Sequence, residues 1–141
     1  MTPPNLMLGH MSVEFTMLAL AIVLGFVQLF LAAHVVTSER GIRWNVGPRD
    51  ETKPLQSKLA GRLDRAFKNF METFGFFAVA VLMAAALDRH NGQTMLGAEL
   101  YLVGRIVYLP LYALGIPVVR TIAWAVATIG IVLILAALFG G

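Results

Sequence analysis

From Phe15 to Ser38 the chain runs for 24 residues without a single Asp, Glu, Lys or Arg. A run of that length has one common use, which is to cross a bilayer as a helix. Three more apolar runs follow. Ala66 to Leu87 carries Lys68 and Glu72 in its first half, Leu96 to Val119 carries Glu99 and Arg105, and Thr121 to Gly141 carries no charge. Only 13% of the 141 residues are charged, 58% are hydrophobic, and the mean hydropathy is +0.76. A soluble domain of this length usually carries about a quarter charged residues. Helices and closed barrels are the structures that satisfy their backbone inside lipid, and runs of about 20 residues are too long for barrel strands. The expected fold is therefore all-α: one integral membrane domain over 1–141, a bundle of four spans at about 12–38, 64–87, 95–116 and 118–140.

The connections set an orientation. Residues 39–62 are polar, broken by Gly and Pro, and hold six of the eleven basic residues. The positive-inside rule puts this loop in the cytoplasm and both termini outside. The loop "DRHNG" (88–92) then faces outward, and Arg120 returns to the cytoplasmic side. In "GIPVVR" (115–120), Gly115 suits a helix C-cap and Pro117 the first turn of the next helix. No Lys or Arg precedes the first run, so the N-terminus lacks the charged region of a signal peptide, and the first span is expected to be retained. There is no cysteine, hence no disulfide, thiolate metal site or protein thiol nucleophile. His34 and His90 fall on opposite membrane sides, and no metal site is expected. The basic residues cluster beside spans without a nucleic-acid motif, so no nucleic-acid partner is expected.

Ionisable residues inside spans carry the functional signal, because each is expensive there. Arg65, Asn69 and Glu72 stand at i, i+4 and i+7 and share one helix face. Tyr101, Arg105, Tyr108 and Tyr112 form a matching stripe on the third span and include all three tyrosines of the chain. Glu72 and Arg105 each lie about 15 Å from the same membrane side. They are expected to pair, with Asn69, Arg65, Tyr108, Tyr112 and Arg120 between them and the cytoplasm. Three arginines against one carboxylate suit a ligand bearing carboxylates, which arginine recognises bidentately. The plain alternative is helix-to-helix glue. Pro110 removes one backbone bond and is expected to widen or kink the third helix. Glu14 is expected to be solvated, Gln28 and His34 to bond between helices, Trp44 to anchor at the interface, and residues 40–50 to fold over the cleft mouth.

These motifs resemble a known family. The segment "RAFKNFME" (65–72) is similar to the Arg-x-x-x-Asn-x-x-Glu signature of the MAPEG family, the membrane-associated proteins in eicosanoid and glutathione metabolism. The segment "RIVYLPLY" (105–112) resembles that family's third-helix Arg-x-x-Tyr-x-x-x-Tyr, in the manner of a bacterial member. The resemblance implies a homotrimer in the bacterial inner membrane, with glutathione as co-substrate between neighbouring subunits. It implies that Arg65, Asn69, Glu72, Arg105, Tyr108 and Tyr112 hold the tripeptide and that Arg120 stabilises its thiolate. The implied activity is a glutathione-dependent transferase or peroxidase acting on lipophilic small molecules that arrive from membrane lipid. Thr73 stands where eicosanoid-forming members have a Tyr. The alternatives are a lipid- or thiol-binding protein of the same fold without turnover, and a small proton-coupled multidrug exporter. The exporter would need a free carboxylate well inside the first span, where Glu14 sits too near the end, and Glu72 is expected to be paired.

Overall fold

A computed structural model of the chain describes residues 11–140. Five helices lie in that range: α1 (Val13–Arg40), α2 (Ile42–Val46), α3 (Lys58–Ala86), α4 (Gly92–Ala113) and α5 (Pro117–Gly140). All but the short α2 are long and apolar enough to cross a membrane. Each begins or ends on recognisable local chemistry. Ser12 Oγ accepts from Phe15 N at 3.1 Å, and Ser57 Oγ from Ala60 N at 3.2 Å, so α1 and α3 open on serine N-caps. Asn91 and Thr94 form a reciprocal capping box at the start of α4.

The turn between α4 and α5 is as tight as its sequence suggests. Ile116 N donates to Leu111 O and Gly115 N to Tyr112 O, both at 3.0 Å. This is a Schellman closure, and it needs the left-handed backbone that Gly115 adopts at φ 75°. Pro117 is the first residue of α5. The α3–α4 turn uses the same closure with Asp88 in the left-handed position at φ 53°. Pro110 does not end α4, which continues to Ala113.

The spans alternate in direction. α3 packs against α1, α4 and α5; α4 packs against the same two flanking helices; α1 and α5 do not touch. α3 and α4 therefore form the centre of the bundle. Lipid tails are as apolar as leucine, so such a centre is held by close packing and interhelical bonds rather than by expulsion of water. Phe77 stacks on Tyr101 with ring centroids 4.0 Å apart, and Phe70, Val81, Ala98 and Ile134 are buried around them. α4 and α5 approach most closely where Gly97 faces Gly130 and where Gly104 faces Ala123 and Ala127.

Three local expectations change. Glu14 is buried rather than solvated: it is 5% exposed, and its Oε2 accepts from Thr94 Oγ1 at 2.9 Å. Gln28 is buried but bonds its own helix, Nε2 to Leu24 O at 3.5 Å, while His34 is exposed. Neither bonds between helices among the described residues. Within the 40–50 segment, the α2 part (42–46) packs among the helices against α1 alone, and so does not lie over the α3–α4 seam. Its polar groups close on one another and on the end of α1, as in Asn45 Nδ2 to Thr37 Oγ1 at 2.8 Å.

Candidate functional site

Four polar contacts descend the α3–α4 seam like rungs. Arg62 Nη1 reaches Ala113 O at 3.5 Å. Arg65 Nε donates to the Tyr112 hydroxyl at 3.0 Å. Arg105 Nη1 donates to Asn69 Oδ1 at 2.8 Å. The hydroxyls of Thr73 and Tyr101 meet at 3.1 Å. On α3 the rungs stand at 62, 65, 69 and 73, a helical stripe; on α4 the partners run backwards, 113, 112, 105 and 101. Antiparallel helices facing each other must pair in that reversed order, so each rung checks the register of the others.

The upper part of this ladder gathers cations and aromatic rings. The Arg105 guanidinium lies 4.2 Å from the Tyr108 ring centroid and 5.5 Å from that of Phe70. Arg120, from the first turn of α5, lies 4.4 Å from the Tyr112 ring centroid, and Arg65 lies 5.9 Å from it. Tyr108 and Tyr112 sit 5.5 Å apart at a tilt of 46°. The structure thus brings Arg65, Asn69, Arg105, Tyr108, Tyr112 and Arg120 to one place from three helices.

The expected ion pair between Glu72 and Arg105 is not formed. Asn69 takes the guanidinium instead, and Glu72 is exposed with no hydrogen bond or ion pair among the described residues. The reason is angular. From Asn69, position 72 falls about 60° to one side of the stripe and position 73 about 40° to the other. The two residues straddle the seam, and Thr73 takes the rung. Glu72 instead lines an open groove of about 800 Å³ between α3 and α5, with Phe76, Met83, Trp124, Thr128 and Leu135. Arg62 and Thr73 were not singled out as site residues by their chemistry. Their signal was positional, since both extend the helical stripe through Arg65 and Asn69.

Arg105 is 1% exposed, and its Nε and Nη2 have no partner among the described residues. A buried guanidinium with one neutral acceptor is undersatisfied. Each unmade bond to a charged group is worth about 1.5–3 kcal/mol. Arg105 thus keeps two unpaired N–H groups inside the bundle, with the Tyr108 ring against its face and Arg65 and Arg120 gathered at the neighbouring Tyr112 ring.

Neither a curated protein nor a solved structure matches the chain. A family model does, and it spans residues 17–140, which take in α1 from Met17, the other three long apolar helices whole, and the whole ladder. The chain is an all-helical multi-pass membrane protein and belongs to the MAPEG family.

Proposed function

We propose that the protein is a glutathione-dependent membrane transferase or peroxidase that acts on lipophilic electrophiles. The observation that carries this reading is the buried, undersatisfied Arg105 amid Asn69, Tyr108, Tyr112, Arg65 and Arg120. Glutathione carries two carboxylates and a thiol, and its carboxylates match those free donors. In MAPEG enzymes the residues matching Arg65, Asn69, Glu72, Arg105, Tyr108 and Tyr112 hold the tripeptide, and an arginine at the place of Arg120 faces its sulfur. A thiol of pKa about 8.5 is mostly protonated at neutral pH, and an adjacent guanidinium favours the thiolate. The thiolate sulfur then attacks an electrophilic carbon. A carbon–sulfur bond forms, the leaving group departs with its bonding pair, and the thiol proton goes to water.

The reading includes a homotrimer. Glu72 lies exposed at mid-span on an open, mostly apolar groove. A carboxylate at that depth is costly unless something covers it. A neighbouring subunit seated there would cover it and would place Glu72 at a shared site. The long loop is assigned to the cytoplasm on its positive charge, which puts Arg120 and the mouth of the site on the side where glutathione is made.

The unpaired Glu72 meets half of what the exporter reading asks, a free carboxylate, but it lies on the second span and not well inside the first. One experiment separates the readings. Purified protein and its Arg120→Ala variant are assayed for glutathione binding by calorimetry, for thiolate absorbance, and for conjugation of an activated aryl halide. The transferase reading expects binding in both, a smaller thiolate signal in the variant, and a fall in turnover of roughly a hundredfold, the scale of one lost transition-state donor. Binding without turnover in the wild type would identify a non-catalytic thiol-binding protein. No binding, with proton-driven efflux from vesicles, would identify an exporter.

A further inference from the structure

The loop between α1 and α3 holds a polar cavity of its own, apart from the ladder residues. α1 ends at Gly41, and α2 turns away directly beyond it. Ile42 and Val46, 71% and 80% exposed, stand one turn apart on the same face of α2. Two bare aliphatic side chains at the end of a span belong among the upper acyl carbons of the bilayer. The cavity beside them, about 420 Å³, is lined by Arg43, Trp44, Arg49, Asp50, Glu51 and Lys53.

Its frame is fixed by bonds that leave the charges free. The Trp44 indole N–H donates to Glu51 O at 3.0 Å, Arg49 Nε to Asn45 O at 3.0 Å, and Arg40 Nε to Lys53 O at 2.6 Å. Arg40 and Arg49 lie 4.6 Å and 5.3 Å from the Trp44 ring centroid. The side-chain nitrogens of Arg43 and Lys53, and the carboxylates of Asp50 and Glu51, meet no partner among the described residues. One cavity thus presents unpaired cations and unpaired carboxylates together, at the surface of the bilayer.

A ligand with only negative charge would meet Asp50 and Glu51 as repulsion. A headgroup with a phosphate and a primary ammonium answers both sets. A choline headgroup has no N–H to donate, and the Trp44 ring that would attract it already carries two guanidinium groups. We propose that this cavity binds the headgroup of an ethanolamine phospholipid, its phosphate on Arg43 and Lys53 and its ammonium on Asp50 and Glu51, with its acyl chains beside Ile42 and Val46. The site is independent of the glutathione reading.

The test is lipid retention by the purified, detergent-solubilised protein, read by native mass spectrometry. Phosphatidylethanolamine, phosphatidylcholine and phosphatidylglycerol of identical acyl chains are exchanged in separately. Ethanolamine lipid is expected to be retained about tenfold over choline lipid, the equivalent of one charge-assisted hydrogen bond. The paired substitution Asp50→Asn with Glu51→Gln should erase that preference, and Arg43→Ala with Lys53→Ala should weaken retention of both lipids. Helical circular dichroism confirms that these loop variants fold. Equal retention of ethanolamine and choline lipids by the wild type overturns the proposal. So does strongest retention of the glycerol lipid, or indifference to the charge substitutions. Competition by water-soluble glycerophosphoethanolamine as strong as by the lipid overturns the membrane source.

Discussion

Glu14 shows why a single residue in a membrane protein has to be read with its surroundings. It lies in the first turn of α1, and its carboxylate accepts from Thr94 in the first turn of α4. α1 and α4 run parallel, so two helix N-termini point the same way at this end of the bundle. Each N-terminus carries a partial positive charge, and a carboxylate between them is favourable to both. Glu14→Ala is expected to lower stability by about 1–2 kcal/mol, the upper range for a partly buried helix-end charge. Glu14→Gln, which keeps an acceptor for Thr94, should lose less. Thermal unfolding in detergent checks both, and an unchanged midpoint for the alanine variant refutes this role. None of this was legible in the sequence. A lone acid before a span looks like a solvated flank, and only the distant Thr94 explains its burial. The aromatic stripe on α4 was legible, because 3.6-residue spacing alone puts Tyr101, Arg105, Tyr108 and Tyr112 on one face.

Among the four long helices, α4 and α5 are joined by the shortest connection and packed most closely. A side chain added at Gly130 would collide with the backbone carbonyl of Gly97 and would lie 2.8 Å from Tyr101 N. These obstacles are main-chain atoms, which cannot rotate away. Gly130→Ala is therefore expected to destabilise the fold by about 2–3 kcal/mol, the range for overpacking a close contact. Gly92→Ala, where the added carbon meets open space, should leave stability nearly unchanged. Paired melting curves test the contrast, and equal midpoints for the two variants would refute it. At this scale the sequence is a good guide. Apolar length locates the spans, and Gly115 with Pro117 marks the turn through backbone preferences that hold in any surroundings. The start of α3 is less well marked: Ser57 caps it, yet its first turns are polar and read as loop.

The whole bundle has two central helices and two flanking ones, and that arrangement leaves much of each span bare on one side. Phe30, Phe76, Val103 and Phe139 are among its exposed large apolar side chains. Lipid accounts for most such surface, but it does not account for Glu72. The trimer reading expects the detergent-solubilised protein to have the mass of three chains by light scattering. Glu72→Leu should then disturb glutathione binding more than it disturbs the assembly. A strictly monomeric wild type would contradict this reading. The spacing groups Glu72 with Asn69 and pairs it with Arg105, yet the structure gives that guanidinium to Asn69 and turns Glu72 outward. A one-residue difference in helical phase decides between meeting α4, as Thr73 does at Tyr101, and facing outward, as Glu72 does, and periodicity alone does not resolve it.

The polar rungs have one more consequence. Arg65–Tyr112 and Arg105–Asn69 join α3 to the α4–α5 hairpin, and Arg105 keeps two further N–H groups that neither rung uses. On the glutathione reading, a guest carboxylate would take those spare N–H groups while both rungs and the stacked Phe77–Tyr101 rings hold. The seam would then act as a zipper that grips its guest with every tooth still closed.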